Sequence, residues 1–139
     1  MRVALVEDNA IFCFLFKKFL EDYPSADIQA QVFSNGKQAW DYFLANQHNP
    51  QALPQMMFLD INMPLMNGWQ LLENLVSHNI DFIHHIPLYI VSSSSNPLDT
   101  ALAQEYSCIK DYIIKPIDRQ KVHDILDRHV SSKVDKIKK

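Results

Sequence analysis

The sequence has few of the features on which several common kinds of protein depend. Its two cysteines, Cys13 and Cys108, lie far apart and in no CxxC or CxxH motif, which favours reduced, packed thiols over a disulfide or a metal site. With 13 Lys and Arg against 16 Asp and Glu, the net charge of -3 provides no electrostatic surface for nucleic acid. No early apolar run is long enough for a signal peptide or a membrane span. We therefore expect a cytoplasmic chain whose partners are proteins or small ions, not nucleic acid or a membrane.

Length and composition indicate one domain. The chain has 139 residues, 47% of them hydrophobic, which is enough for one compact core and too little for two. It contains no internal repeat and no Pro-, Gly- or Ser-rich linker to a second module. We expect a domain at residues 1–130, followed at 131–139 by a polar, basic tail that frays.

Short apolar runs alternate with segments of helical period, and this pattern predicts βαβ units with a parallel sheet. The runs are continuously apolar, so the central strands should be buried on both faces. The predicted strands are 2–6, 28–33, 56–59, 88–91 and 112–114, and the longest connection, 47–55, should loop over the surface. Helices are expected at 10–22, 37–46 and 68–79, from Pro97, and after Asp118. The expected caps of the first, fourth and fifth helices are Asn9, Asn96 and Asp118. Trp69 belongs to the apolar stripe of the third helix, and Asp99 lies in the first turn of the fourth, facing its dipole.

Polar residues follow four of these strands. Glu7 and Asp8 come after the first strand, Asp60 after the third, Ser92 after the fourth and Lys115 after the fifth. Because the carboxyl ends of parallel strands lie at one edge of the sheet, we expect these side chains to converge there. Gathered carboxylates repel one another unless a cation neutralises them, and Mg²⁺ suits an oxygen-rich site of this kind. Asp60 can then act as a nucleophile that forms an aspartyl phosphate.

These residues occur in motifs that resemble the response-regulator receiver family over nearly the whole chain. The matching motifs are Val6-Glu7-Asp8, Phe58-Leu59-Asp60-Ile61-Asn62-Met63-Pro64 with Asn67-Gly68, Ser92-Ser93, and Tyr112 with Lys115-Pro116. Each motif alone is weak. In this order, each at the end of a predicted strand, they indicate a stand-alone receiver similar to the chemotaxis regulators.

The resemblance implies an α/β fold of the flavodoxin-like (βα)5 type, with a five-stranded parallel sheet in the order 2-1-3-4-5. It also implies a phosphoacceptor that takes its phosphoryl group from a sensor histidine kinase or histidine phosphotransfer protein. Such a domain is not an enzyme with an external substrate, and it acts on an unidentified downstream protein as a monomer or a phosphorylation-dependent dimer. The roles implied are Asp60 as phosphoacceptor, Glu7, Asp8, Asp60 and the Asn62 backbone carbonyl as Mg²⁺ ligands, Lys115 as the charge-balancing amine, and Ser92 and Tyr112 as switch residues.

Two departures from the family pattern concern local geometry. The acidic pair is Glu7-Asp8 where Asp-Asp is commoner, so the outer metal ligand has one more methylene and can act through water. Cys108 and Ile109 replace small residues that the family usually places before the fifth strand, which alters the loop after the fourth helix but not the site. Ser94 is a candidate modulator of dephosphorylation.

Each candidate also has an ordinary structural interpretation. Asp60 could belong to a turn, although its place directly after a buried strand argues against this. Glu7 and Asp8 could cap the first helix. Tyr112 could be a core aromatic residue, and the sequence leaves that alternative open.

Other functions for the same fold are less compatible with these residues. A phosphatase of the haloacid-dehalogenase type needs a second aspartate as general acid two residues after the nucleophile, where this chain has Asn62. A flavin phosphate would be repelled by Glu7 and Asp8. A degenerate receiver that only binds partners is disfavoured by the complete set of acceptor residues.

The first predicted helix has more apolar residues than one buried stripe requires. We expect Phe12 and Phe16 to face outward beside the acidic site. One hypothesis is that this apolar patch is exposed and binds the phosphohistidine-bearing helix of a partner. The alternative is that these side chains all pack into the core.

Overall fold

The computed structural model describes the backbone of residues 1–138 and the side chains of residues 1–130. Strands and helices alternate along the chain, as the sequence predicts. The strands are β1 (Arg2–Val6), β2 (Gln29–Phe33), β3 (Met56–Leu59), β4 (Leu88–Ser92) and β5 (Ile109–Ile114). The helices are α1 (Ala10–Glu21), α2 (Gly36–Ala45), α3 (Gly68–Ser77), α4 (Pro97–Glu105) and α5 (Arg119–Lys138). The side chains of the tail predicted at 131–139 lie outside the described residues. That this tail frays stays a prediction.

All five strands are parallel and form one sheet in the order β2-β1-β3-β4-β5, which confirms the predicted flavodoxin-like fold. The central strands are buried on both faces, since every residue of β3 and β4 is buried. One face packs against α1 and α5, through side chains such as Phe16 and Leu126. The other packs against α2 and α3, through side chains such as Phe43 and Leu72.

Asparagine side chains begin four of the helices. Asn9, Asn35, Asn67 and Asn96 each accept a hydrogen bond from a backbone N–H in the first turn. These bonds satisfy donors that a helix start otherwise leaves without partners. The caps predicted at Asn9 and Asn96 are confirmed, and so is Asp118, which accepts from the Lys121 N–H at 2.8 Å.

Strand β5 is longer than predicted and irregular at its start. It begins at Ile109, not at residue 112, and Leu88 pairs with Ile109 whereas Tyr89 pairs with Asp111. Lys110 is therefore an extra residue in β5 at this step, a β-bulge. Because Lys110 and Asp111 are polar, the pattern of apolar runs does not show where this strand begins.

The connection at 47–55 is more than a surface loop. Leu53 is only 6% exposed, and the Arg2 guanidinium donates to the carbonyls of Leu53 and Pro50 at 2.8 and 3.0 Å. Leu53 thus belongs to the core, and Arg2 holds the segment against the start of β1. A short 3-10 helix at Asp81–His84, also unpredicted, follows α3 in the chain and buries Phe82 and Ile83 in the core.

Within the part of the chain that the structure describes, no helix combines the length and the apolar character needed to cross a membrane.

Candidate functional site

The carboxyl ends of the strands bring the predicted polar residues to one edge of the sheet. Glu7 follows β1, and Asp60 follows β3, which is the neighbour of β1 in the sheet. Backbone hydrogen bonds continue past the strand ends, from the Glu7 N–H to the Phe33 carbonyl and from the Asp60 N–H to the Val6 carbonyl, both at 2.9 Å. The positions of the two acidic residues are therefore set by the sheet itself.

Three carboxylates form the centre of the site. One oxygen each from Glu7, Asp8 and Asp60 lie within 4.8 Å of one another. Glu7 and Asp60 are buried, with 1% and 5% exposure, and Asp8 is exposed. An all-oxygen group of this kind suits a hard divalent cation, which would offset the repulsion among the carboxylates. The residues therefore fit a divalent metal, whereas the Asn62 carbonyl ligand stays a prediction.

Lys115 is bound to Glu7. Its ammonium lies 2.5 Å from Glu7 Oε1, while Glu7 Oε2 accepts the Asn9 N–H at 3.1 Å. The ammonium also lies 4.2 Å from the centroid of the Phe12 ring, at a cation–π distance. The amine is thus within the acidic group, as the sequence predicts, and it is held between a carboxylate and an aromatic face.

Burial alters the acidity of two of the carboxyl groups. Burial raises the pKa of Glu7, and the hydrogen bonds from Lys115 and the Asn9 N–H oppose that rise. The pKa of Asp8 is also raised, first by lost hydration and then by its contact with Glu7. Both shifts mean that the charged forms are disfavoured without a cation, so a bound divalent ion would stabilise them.

The backbone around Asp60 is closely packed. Its Oδ1 accepts the Ile61 N–H at 2.8 Å and lies 3.5 Å from the N–H of the exposed Asn62. Gly68, at the start of α3, lies against the same segment: a Cβ added there would be 2.4 Å from the Asp60 carbonyl oxygen. Only glycine can approach so closely, so Gly68 determines where the loop after β3 runs.

Ser92 and Tyr112 are connected through Ser94. Ser92 is completely buried, and its Oγ accepts the Ser94 N–H at 3.1 Å. The hydroxyl of Tyr112, which is half-buried, donates to the Ser94 carbonyl at 2.8 Å. Lys115 is tied to Ser92 in turn by a 2.8 Å bond from its N–H to the Ser92 carbonyl. The structure thus places the two predicted switch residues on either side of one loop, and their switching stays a prediction.

The expected orientation of Phe16 is wrong. Phe16 is 1% exposed and packs edge-on against Phe58 of the sheet, with ring centroids 4.8 Å apart. The large apolar residues of α1 that face outward are Ile11, Phe14 and Leu15, with 75%, 61% and 46% exposure. The apolar surface beside the site exists, but the sequence assigned it to Phe16, which is buried, and to Phe12, which is half-buried beside the Lys115 ammonium.

Two residues near the site were assigned ordinary roles from the sequence. Trp69 was expected in the core stripe of α3 and Asp99 at the dipole of α4, yet the Trp69 indole N–H donates to Asp99 Oδ1 at 3.0 Å. The first-turn position of Asp99 is confirmed. The bond joins residues distant in the chain, so no periodic pattern could have shown it.

Comparison with known proteins agrees with this geometry. Residues 3–127 match the family described as the response regulator receiver domain. The chain belongs to this family. It is a receiver domain of two-component signalling, and its acidic group of Glu7, Asp8 and Asp60 fits a phosphorylation site.

The receiver domain resembles part of several larger proteins. It is 30% identical to a protein-glutamate methylesterase/protein-glutamine glutaminase from Halalkalibacterium halodurans, in a match that covers 95% of this chain and 36% of that protein. The receiver domain thus spans about a third of that relative's length.

Solved structures confirm the fold. A two-component response regulator from Cytophaga hutchinsonii superposes with a TM-score of 0.78 at 23% identity, covering 94% of this chain and 96% of that one. A structure of the CheX-CheY-BeF3-Mg²⁺ complex from Borrelia burgdorferi gives a TM-score of 0.72 at 20% identity, covering 92% and 87%. At these identities the likeness establishes the receiver fold and nothing finer.

Proposed function

We propose that Asp60 accepts a phosphoryl group from a sensor histidine kinase or a histidine phosphotransfer protein, in a Mg²⁺-dependent reaction. The observation that carries this proposal is the meeting of three carboxylates and one amine, from three strand ends, around Asp60. The CheY structure with BeF3 and Mg²⁺ supports it, because that protein has the same fold. The domain turns over no external substrate and signals by changed affinity for a downstream protein.

The chemistry is a transfer between two nucleophiles. Asp60 Oδ1 already accepts the Ile61 N–H, so we assign the attack to Oδ2. A bond forms from Oδ2 to phosphorus while the bond from phosphorus to the donor's imidazole nitrogen breaks, and the free imidazole takes a proton from solvent. The product is a mixed anhydride, the aspartyl phosphate.

The neighbouring residues offset the charge of the phosphoryl group. A Mg²⁺ ion would be held by Glu7, Asp8, Asp60 and the Asn62 carbonyl, and when bound it neutralises negative charge at the acceptor. The Lys115 ammonium, now on Glu7, moves to a phosphoryl oxygen. Since that amine carries a full charge, it makes a stronger hydrogen bond than a neutral donor.

Two residues then report the modification. The Ser92 hydroxyl loses its hydrogen bond from the Ser94 N–H and donates one to a phosphoryl oxygen. Tyr112 changes its rotamer as the loop after β4 moves. The signal leaves through α4, β5 and the start of α5, where Leu98 is 77% exposed.

The donor protein docks on α1. The exposed Ile11, Phe14 and Leu15 form an apolar surface, hereafter the α1 patch. Leu15 also lines a groove of about 390 Å³ that extends to Lys115. A helix that lies on the α1 patch would therefore bring its phosphohistidine to the Lys115 side of the acceptor.

Incubation with acetyl phosphate and Mg²⁺ tests the proposal. Intact mass should increase by one phosphoryl group, and both Asp60→Asn and chelation of the metal should abolish the increase. Asp41→Asn is the matched control, because Asp41 is exposed on α2 in an ion pair with Lys37. Labelling that persists in Asp60→Asn, or that needs no divalent ion, would contradict the proposal.

A further inference from the structure

Asp99 joins two elements that flank the candidate site. It lies in the first turn of α4 and uses both carboxylate oxygens. Oδ1 accepts the Trp69 indole N–H from α3 at 3.0 Å, and Oδ2 accepts the Ser94 hydroxyl from the loop after β4 at 2.6 Å. Hydrogen bonds to a charged acceptor are stronger than neutral ones, and a half-buried location screens them less than open solvent does.

On the α3 side, the connection leads to Asp60. Trp69 follows Gly68, whose N–H donates to the Ile61 carbonyl at 3.1 Å and whose Cα has no room for a side chain against Asp60. The indole also stacks on Tyr106, with ring centroids 6.1 Å apart and an interplanar angle of 12°. Trp69 therefore has a defined position relative to the acceptor.

On the β4 side, the connection leads to Ser92. Ser94 donates its hydroxyl to Asp99, and its N–H reaches the Ser92 Oγ at 3.1 Å. Its carbonyl accepts the Tyr112 hydroxyl, and its Oγ accepts the Asn96 N–H at 3.3 Å. Displacing Ser94 would therefore disturb Ser92 and Tyr112 together.

We propose that Asp99 is a positioning residue that holds the loop after β4 in its unphosphorylated arrangement by tying Ser94 to Trp69. This inference rests on the proposed function of Asp60. When Ser92 turns to the phosphoryl group it releases the Ser94 N–H, and the Ser94–Asp99–Trp69 connection opposes that movement. The connection thus affects the free energy needed for the acceptor site to reach its modified arrangement.

A simple helix-capping role explains less. An acidic residue in the first turn of a helix is stabilised by the dipole wherever its side chain points. That role requires neither of the two side-chain hydrogen bonds, which come from separate elements. The two explanations differ in what the neutral changes Trp69→Phe and Ser94→Ala should do, because neither alters the charge at Asp99.

Affinity for beryllofluoride, a phosphoryl mimic, tests the proposal in the presence of Mg²⁺. Wild type is compared with Trp69→Phe, Ser94→Ala and Asp99→Asn, with binding followed by backbone amide NMR shifts and stability by urea unfolding. Each variant should bind beryllofluoride more tightly, by about threefold or more for the loss of one hydrogen bond. Asp41→Asn, an exposed charge change of the same kind, should bind as wild type does.

The outcomes separate the possible roles. Lower stability with unchanged or weaker beryllofluoride binding in Trp69→Phe and Ser94→Ala would overturn the proposal and leave a structural role. In a Trp40→Phe background Trp69 is the remaining one of the two tryptophans, and its emission should change when beryllofluoride binds. Constant emission would also overturn it. If wild type binds no beryllofluoride, or if Asp60→Asn still binds it, the proposed function fails instead.

Discussion

The Lys115 ammonium lies 2.5 Å from Oε1 of Glu7, a carboxylate that is only 1% exposed. The side chain of Lys115 is itself 19% exposed, so the pair is only partly screened by solvent. Burial raises the pKa of Glu7, and Lys115 supplies the largest opposing effect. In the absence of metal the amine therefore serves as the counter-charge of the acidic group.

Replacing Lys115 should destabilise the metal-free protein through Glu7. Lys115→Met leaves a buried carboxylate without its partner, and we expect a loss of about 1–3 kcal/mol in the free energy of unfolding at neutral pH. Urea unfolding in the presence of a chelator measures this loss. In a Glu7→Gln background the same change should cost much less, because a neutral amide needs no counter-charge, and equal losses in the two backgrounds would show that Lys115 stabilises the fold by another route.

Gly68→Ala should move Asp60. The added Cβ would lie 2.4 Å from the Asp60 carbonyl oxygen and 2.9 Å from the Ile61 Cα, so the backbone must shift. We expect a loss of about 1–3 kcal/mol in stability, as for other overpacked sites, and weaker beryllofluoride binding. In the comparison variant Gly36→Ala, the Cβ meets the Met66 carbonyl at 2.2 Å, so stability should fall while beryllofluoride binding is largely kept. Equal effects of the two changes on binding would count against a specific role for Gly68.

Stability should fall below neutral pH because of His129. Burial lowers its pKa from the ordinary 6.5, assisted by Lys110 of β5 and Arg128 of α5, and its Nε2 forms a 2.7 Å hydrogen bond with the Tyr89 hydroxyl of β4. The unfolded chain then binds a proton more readily than the folded one. The contribution of neutral His129 is therefore complete above pH 6.5 and is lost as the pH falls through its lowered folded pKa.

His129→Gln tests that dependence. The variant cannot be protonated at this position, so its unfolding free energy should vary less with pH below 6.5 than that of wild type. Urea unfolding at closely spaced pH values measures the slope, and His48→Gln, on an exposed loop, serves as the control. An unchanged slope in His129→Gln would assign the acid sensitivity to other groups.

The α1 patch should determine phosphotransfer from a protein donor. Phe14→Glu places a charge on this 61% exposed surface, and transfer from a phosphorylated histidine phosphotransfer protein should slow by about tenfold or more, as expected for an aromatic contact residue. Phosphorylation by acetyl phosphate should keep its rate, because that donor needs no docking surface. Val32→Glu, 41% exposed on β2, is the matched control. Equal slowing with both donors would mean that the change damages the acceptor site itself.

The sequence predicted the fold because its signals are local. Continuous apolar runs identified β1 and β3 to the residue, and Asn9 and Asn96 were placed correctly as caps. The order of the strands followed from the family resemblance, which rests on motifs at strand ends. The gathering of Glu7, Asp8 and Asp60 was predicted for the same reason, since parallel strands end at one edge.

What the sequence could not predict depends on angles and on distant contacts. Whether Phe12 or Phe14 faces outward on α1 is decided by a rotation of the helix that the crowded apolar pattern does not specify. The bond between Trp69 and Asp99 joins two helices whose separation is known only from the fold. That Lys115 binds Glu7 and not another carboxylate of the group depends on the side-chain geometry of the folded site, which no local pattern specifies.

The bulge at Lys110 determines on which side of the sheet Tyr112 lies. After the bulge, Tyr112 pairs with Ile90 and Ile113 pairs with Val91, so Tyr112 lies on the face of the sheet that packs against α2 and α3, and Ile113 on the face that packs against α1 and α5. Side chains alternate along a strand, and a one-residue slip exchanges the two faces. Removing Lys110 alone would leave Ile109 opposite Leu88 and Tyr112 opposite Ile90, whereas a strand of the same length without the bulge would place Tyr112 opposite Val91 and on the other face of the sheet.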